Sequence, residues 1–314
     1  MIAGGCAMRR GESVVAGHGR ALLRFLAYPV LLVATVLVAG LALARDWDPE
    51  RVSPFFLMGV VLYLTALERL VPYERDWQPT AAEWRWYGIW FVLTMLASAF
   101  AQFLVTGLMT LVATGHPVLP LWAELPLTLL AGSLAGYVTH RLGHTNKHLW
   151  KLHGVHHVPA KVNVANNGVN HVLDIVFSQG CVQLLLAAVG FSAHSVLASG
   201  LFVAAQGYFI HANIDVRIGP FNHVLASPEQ HRLHHSTRLA EAGHYGSDLS
   251  VWDHLFGSFT WHPGRTPAAV GLHDPASFPR TGDVLGSLLH PVRRSPRPRE
   301  EEAPVAPTDG RQGA

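Results

Sequence analysis

The sequence predicts an all-α integral membrane protein, a helical bundle whose cytoplasmic end carries a histidine-rich helical metal site. Three observations indicate this fold class. The chain of 314 residues is only 14% charged, whereas soluble domains carry about 25% charged residues. Several apolar stretches are long enough to cross a membrane as a helix. Finally, 18 of the 20 histidines follow the fourth of these stretches, so a metal-binding region is expected after the spans.

Four candidate spans follow a polar N-terminal tail at residues 1–24. The first, residues 25–44, has twenty residues without a charge, enough to cross a hydrocarbon core of roughly 30 Å as a helix. A signal peptide is the alternative for this segment, but its apolar part is long for one and further spans follow it. The transmembrane region, residues 25–138, also contains candidate spans at residues 54–71, 86–113 and 118–138.

The orientation of the spans can be predicted from aromatic and basic residues. Trp84, Trp86, Tyr87 and Trp90 occur where an interfacial aromatic belt is expected. Four spans return the chain to its starting side, so the arginine-bearing N-terminus and the histidines share a face, which the positive-inside rule places in the cytoplasm. Arginine outnumbers lysine 20 to 3, a usage typical of high-GC bacterial genomes. We therefore expect a bacterial inner-membrane protein with a cytoplasmic histidine site.

A second apolar stretch, residues 175–210, interrupts the histidine-rich region at residues 139–262. Gly190 divides this stretch into two pieces, which predicts a helical hairpin that dips into the membrane or crosses it. A buried hairpin of a soluble domain is the alternative. On either reading the hairpin returns His211 to the earlier histidines. The C-terminal extension, residues 263–314, is rich in proline and charge near its end, which predicts disorder from about residue 290.

The histidines recur at helical spacing, which places members of each set on one helix face. The sets are His140 and His144; His153, His156 and His157; and His231, His234 and His235. Neutral imidazole suits zinc, copper, iron and nickel, and one zinc ion takes three or four ligands. Eight imidazoles exceed what one ion holds, so the sequence predicts two ions. A solvated histidine-rich loop is the alternative, but it does not need helical spacing. The two cysteines, Cys6 and Cys181, suggest neither a disulfide framework nor a thiolate site.

Five motifs in order resemble the fatty acid hydroxylase/sterol desaturase superfamily of membrane histidine-box di-iron enzymes. They are "HRLGH" at 140–144, "LHGVHH" at 152–157, "FIHANI" at 209–214, "SPEQHRLHHS" at 227–236 and "HYGSDLSVWDHLFGSF" at 244–259. The resemblance covers about 120 residues. The region before residue 139 is similar to the family only in being a set of hydrophobic spans.

The resemblance implies a set of ten metal ligands: His140, His144, His153, His156, His157, His171, His211, His231, His234 and His235. His171 and the acidic Asp174 match a stretch of HPxE type in the family. The family often has a further ligand where this chain has Gly207. His244 stands at the usual place of an asparagine, so it is a further candidate ligand or a residue that caps a turn. His148 lies between the first two boxes, where the family has no fixed ligand.

The resemblance also implies an O₂-dependent oxidoreductase that hydroxylates or desaturates an unactivated C–H bond of a sterol, fatty acyl chain, sphingolipid or related lipid. Its cofactor would be two iron ions, with zinc as a substitute. The chain has no haem, flavin or iron–sulfur motif, so a separate reductase, ferredoxin or cytochrome is expected as electron donor. A net charge of +2 does not suggest nucleic-acid binding. The alternative is a histidine-rich membrane protein that binds or transports metal, although transport needs ligands within the spans.

Overall fold

The fold is taken from a computed structural model, which describes residues 5–111 and 119–293, with side chains from residue 19 onward. These ranges contain helices, turns and isolated β-bridges but no β-strand, which confirms the predicted all-α class. The α-helices are α1 (Gly5–Arg45), α2 (Pro49–Leu70), α3 (Ala81–Met109), α4 (Leu121–Thr145), α5 (Lys147–His153), α6 (Val172–Val189), α7 (Ala193–His211), α8 (Pro228–His234), α9 (Val251–Leu255) and α10 (Val284–Leu289).

Six of the described helices, α1 to α4 together with α6 and α7, are long and apolar enough to cross a membrane. They correspond to the four predicted spans and the two arms of the predicted hairpin. The hairpin turns at Gly190, which ends α6 with φ 84, a left-handed conformation that glycine adopts without steric cost. The chain is an integral membrane protein, whereas the number of helices that cross the bilayer stays a prediction.

Two helices extend beyond the predicted spans. Helix α4 continues past residue 138, the predicted end of the fourth span, to Thr145, so its last two turns carry His140 and His144. Helix α1 begins at Gly5, within the predicted N-terminal tail. Disorder was predicted from about residue 290, but His290–Val292 form a short 3-10 helix after α10. The rest of the predicted tail, residues 294–314, lies outside the described residues.

Helix α7 is the central element of the bundle, because it packs against α1, α2, α4 and α8. Its Phe209 is fully buried and stacks on Tyr28 of α1, with ring centroids 4.4 Å apart. Helix α3 packs mainly on α6. The outer faces carry large apolar side chains such as Phe25 and Phe55, which are 76% and 78% exposed. An exposed apolar exterior of this kind fits a lipid environment.

A polar contact joins α4 to α7 at the end of the bundle remote from the histidines. Glu124 of α4 is buried. It accepts hydrogen bonds from the backbone N–H and from the hydroxyl of Ser192, which precedes α7; the hydroxyl bond is 2.8 Å long. Thr128 donates to Ser195 one turn further along, at 3.0 Å. These bonds fix the position of α7 along α4. They therefore also fix the position of His211, the last residue of α7.

We expect Glu124→Ala to lower the melting temperature of the detergent-solubilised protein. The change leaves two donors of Ser192 without their acceptor, which costs on the order of 2 kcal/mol for partly buried groups. Glu124→Gln is the matched control, since its amide oxygen retains one acceptor and should cost less. Equal melting temperatures for the wild-type protein and Glu124→Ala would show that this contact does not stabilise the bundle.

Candidate metal centre

Nine histidines converge at one end of the bundle in two groups. The first group is His140, His144, His153, His157 and His234, and the second is His156, His211, His231 and His235. Within each group, one ring nitrogen from every member lies within 4.8 Å of the others. The groups adjoin, because the rings of His157 and His235 stack with centroids 4.2 Å apart.

The turn between α4 and α5 folds the first two histidine boxes onto each other. Asn146 ends α4, and its side-chain oxygen accepts hydrogen bonds from the backbone N–H groups of His148 and Leu149 at the start of α5. Helix α5 then packs so closely on α4 that a Cβ atom on Gly143 would lie 3.0 Å from the His153 ring. Glycine at this position therefore permits the approach of His153 to His140 and His144.

The second and third histidine boxes each contribute to both groups. Helix α5 ends at His153, and His156 and His157 lie in the turns that follow it, so they leave the single helix face that their spacing predicts. His156 points into the second group and His157 into the first. His231 on α8 and His235, which directly follows this helix, are one turn apart and enter the second group, whereas His234 enters the first.

In the first group, His140 and His234 are each held through Nδ1, which leaves Nε2 free. The Nδ1–H of His140 donates to the Tyr245 carbonyl at 2.7 Å, and that of His234 donates to the Gly243 carbonyl at 3.3 Å. A carbonyl oxygen only accepts, so the hydrogen is on Nδ1 and Nε2 carries a lone pair. The buried Nε2 atoms of His144, His153, His157 and His234 have no hydrogen-bond partner. Buried polar atoms of this kind are costly unless satisfied, and a shared cation satisfies them together.

In the second group two lone pairs face each other. His156 donates from Nδ1 to the Val169 carbonyl at 3.2 Å, and His211 donates from Nδ1 to the Asn163 carbonyl at 3.1 Å. Their Nε2 atoms are only 3.2 Å apart, with no hydrogen available between them. The repulsion between two such acceptors is relieved by a cation that both bind. The residues therefore fit metal ions held by neutral imidazole, a ligand suited to iron and zinc.

The electrostatic surroundings keep these imidazoles neutral. Burial, followed by the nearby His235 and His144 rings, holds the pKa of His157 well below its usual value of 6.5. Burial and neighbouring imidazoles likewise lower the pKa of His234 and of His235. Since a metal competes with protons for the same lone pair, the low pKa values leave the nitrogens available at neutral pH.

Three buried carboxylates orient the ligands from outside the two groups. Asp174 accepts from Nδ1 of His153 at 3.0 Å. Asp253, which is fully buried, accepts from the backbone N–H groups of Tyr245 at 2.7 Å and Gly246 at 2.9 Å. It thereby holds the loop whose carbonyls bind His140 and His234. Partners of this kind fix the tautomer and direction of a metal-binding imidazole.

Glu68 of α2 likewise orients the second group by holding the backbone beside it. It was not among the residues predicted from the sequence. Its Oε1 accepts from the backbone N–H groups of Val164 and Asn213, each at 2.8 Å. Val164 follows Asn163, whose carbonyl binds His211, and Asn213 lies two residues after His211. The available signal was an acidic residue near the end of an apolar span, which in membrane proteins often marks a functional site.

The structure corrects the prediction of His171 as a metal ligand, because it does not bring His171 into either group. Its Nδ1 accepts from the backbone N–H of Leu173 at the start of α6, at 3.1 Å. Its Nε2–H donates to the Leu288 carbonyl, also at 3.1 Å. Both nitrogens are therefore used by the backbone. The family resemblance placed His171 among the ligands, whereas its position at the start of α6 makes it a helix cap.

The other candidate residues also lie outside the groups. His244 has φ 73, a left-handed conformation that Asn and His tolerate better than most residues. This backbone geometry accounts for the asparagine usual in the family. Its Nε2 lies 3.8 Å from Asp253. His148 is exposed at the start of α5, and a Cβ atom on Gly207 would meet nothing within 4 Å.

Comparisons with known proteins identify the family to which this chain belongs. A family model described as fatty acid hydroxylase matches residues 125–258. The ornithine lipid hydroxylase OlsE of Rhizobium tropici is 30% identical over 289 residues, which cover 87% of this chain and 85% of the relative. The chain belongs to the fatty acid hydroxylase family. It is therefore an oxidoreductase, and the resemblance stated from its histidine boxes is confirmed.

Other relatives match a smaller share of the chain. The alkylglycerol monooxygenase of Xenopus tropicalis is 25% identical over 150 residues, which cover 48% of this chain and 33% of the relative. The human alkylglycerol monooxygenase is 28% identical over 124 residues, covering 39% and 27%. No solved structure matches the chain. The match to OlsE therefore covers about twice as much of this chain as either monooxygenase match.

We expect Asp253→Asn to reduce metal binding by the first group. The amide of Asn can accept at its oxygen alone, so the loop at Tyr245 and Gly246 loses part of its anchor, and His140 and His234 lose their fixed direction. Loss of such partners typically weakens metal affinity 10- to 100-fold. Iron content and competition with a chelator measure the effect. Asp283→Asn is the control, since Asp283 caps α10 by accepting from Gly286. Unchanged chelator resistance in Asp253→Asn would contradict the orienting role.

His244→Asn should retain the metal content of the wild-type protein, because His244 lies outside both groups and Asn tolerates the same backbone conformation. The variant should also be less sensitive to acid. Burial lowers the pKa of His244 to about 4, although Asp253 raises it. The unfolded chain therefore takes up a proton from about pH 6.5 downward while the folded protein does not. The metal-free wild type accordingly loses up to about 1.4 kcal/mol per pH unit from this group between pH 6.5 and 4.

Denaturation of both metal-free proteins between pH 7.5 and 4.5 checks this expectation. The other buried histidines destabilise both proteins in acid, so only the difference between the two curves reports on His244. A lower metal content in His244→Asn would instead identify His244 as a ligand.

Proposed function

We propose that the chain is a di-iron oxygenase that hydroxylates a membrane lipid at an unactivated C–H bond. The observation that carries this proposal is the pair of adjoining histidine groups with their inward-facing Nε2 lone pairs. The first group would hold one ion with five imidazoles and the second group another with four. Bound iron would supply the reductive activation of O₂. The overall reaction, R–H + O₂ + 2e⁻ + 2H⁺ → R–OH + H₂O, balances with an external two-electron donor.

The chain's own residues hold the ligands in place and keep bulk water away. Asp174 keeps the Nδ1 proton on His153, and the Tyr245 and Gly243 carbonyls do so for His140 and His234. The second group is buried, whereas His140 and His144 are half-buried. We therefore place the approach of the lipid on the α4 side of the first group. Tyr137 and Phe256 stack beside it, with ring centroids 5.3 Å apart.

The substrate is proposed to be a lipid with a polar headgroup, and the reaction to be hydroxylation instead of desaturation. Support comes from the relatives, which are named as an ornithine lipid hydroxylase and alkylglycerol monooxygenases. The electrons would come from a separate reductase, ferredoxin or cytochrome, because the sequence has no redox motif of its own. The centre is proposed to face the cytoplasm from a bacterial inner membrane.

The alternative of a metal transporter has less support. A transport path needs ligands distributed through the spans. The nine histidines instead lie at the ends of α4 and α7 and in the segments beyond the long helices. They are also held by backbone carbonyls and buried carboxylates, an arrangement suited to a resident ion.

The variants His234→Ala and His231→Ala test the proposal, one in each group, with His148→Ala as the matched control. We expect about two iron ions per wild-type chain and per control chain, and fewer in each test variant. Because each variant removes a ligand, hydroxylated lipid formed by the reconstituted enzyme in membrane extracts should fall at least 100-fold. Mass spectrometry of the lipids measures the product.

Two outcomes would overturn the proposal. One is a wild-type protein that takes up neither iron nor zinc, and the other is unchanged lipid hydroxylation in both variants. A preparation that contains zinc alone is reconstituted with iron, and its activity then decides.

A further inference from the structure

We propose that a cleft beside the second histidine group binds the phosphate or carboxylate of a lipid headgroup. The cleft has a volume of about 700 Å³ and is lined by four arginines and two acids: Arg20, Arg24, Arg69, Arg75, Glu74 and Asp76. The inference rests on the proposed function only in taking the bound lipid as the substrate.

The cleft lies at the level where lipid headgroups are found. Arg20 stands at the beginning of the apolar part of α1, which runs from Gly19 to Arg45. Arg69 is the last residue but one of α2. Both arginines therefore lie where apolar helices leave the bilayer, the depth at which basic residues meet headgroups. Next to them α1 exposes Leu22 and Phe25, 58% and 76% accessible, an apolar surface suited to an acyl chain.

The charges of the cleft favour an anion. Arg24 is paired with Asp215 at 2.9 Å. Within residues 19–111 and 119–293, no carboxylate lies within 4.0 Å of Arg20, Arg69 or Arg75. A guanidinium group binds phosphate or carboxylate through paired hydrogen bonds. Glu74 and Asp76 are both exposed, and they would face the ammonium group of a zwitterionic headgroup.

The floor of the cleft is tied to the metal centre. The backbone N–H of Tyr73 donates to the Asn213 carbonyl at 3.1 Å, and that of Glu74 donates to Asn213 Oδ1 at 2.9 Å. The guanidinium of buried Arg232, the neighbour of His231, lies 3.8 Å from the centroid of the Tyr73 ring. A headgroup in the cleft therefore lies on the segment that backs His211 and His231, while its chains remain in the bilayer beside the centre.

The double variant Arg69→Gln/Arg75→Gln tests the cleft in the full-length protein purified in detergent. Neither arginine has an ion-pair partner among the described residues, so the fold should be retained. Arg51→Gln is the matched control, because Arg51 is an exposed arginine at the other end of α2, paired with Asp48. The probes are dioleoyl phosphatidylglycerol, uncharged dioleoylglycerol and inorganic phosphate, and native mass spectrometry measures their binding.

We expect the wild type and Arg51→Gln to bind phosphatidylglycerol equally, because Arg51 does not line the cleft. The double variant should bind it about tenfold more weakly, because each arginine lost from the cleft weakens binding several-fold. Dioleoylglycerol should bind weakly to all three proteins. Equal phosphatidylglycerol binding by the double variant overturns the proposal. Inorganic phosphate that binds as tightly as the lipid also overturns it, since the cleft is then a site for free anions.

Lipid binding needs neither iron nor O₂, so this result stands even if the proposed hydroxylase function fails. If the function holds, the double variant should raise KM for the lipid and leave kcat unchanged. Unchanged KM together with weakened binding overturns the assignment of the bound lipid as substrate.

Discussion

The structure depends on one unfavourable arrangement, the approach of unprotonated imidazole nitrogens at one end of the bundle. The Nε2 atoms of His156 and His211 are 3.2 Å apart, and backbone carbonyls hold the only hydrogen of each ring on its far side. Without a cation this arrangement costs free energy, because acceptors face acceptors in a buried site. The rest of the fold must therefore hold the rings together against their repulsion, and a bound metal repays that cost.

The bundle meets this requirement by fixing its elements from both ends. At the remote end, Glu124 sets the position of α7 against α4. At the metal end, Asp253 and Glu68 receive backbone N–H groups, and so hold the loops that in turn hold the imidazoles. The carboxylates lie outside the groups, so they orient the imidazoles without occupying the space between them. In the proposed di-iron enzyme, the same carboxylates would also offset part of the positive charge of ions held by neutral imidazoles.

The sequence predicted the all-α fold class, and the resemblance of its histidine boxes to the family indicated nine histidines whose rings the structure brings together. It failed where position depends on packing between distant segments. His171 sits at the start of a helix, and only the location of Leu288, more than a hundred residues away, shows that both of its nitrogens are engaged. Glu68 was missed for the same reason. The division of the histidines into two groups was also beyond the sequence, because His156 and His157 lie in turns after α5 and not on its helix face.

The placement of His156 and His157 in different groups links the assembly of the two groups. A peptide bond joins these residues, so a backbone movement that withdraws one of them from its group also displaces the other. The same holds for His234, the last residue of α8, and His235, which follows it. Four of the nine rings are thus paired by covalent geometry across the boundary between the groups. The two histidine groups should accordingly assemble and come apart as one cooperative unit.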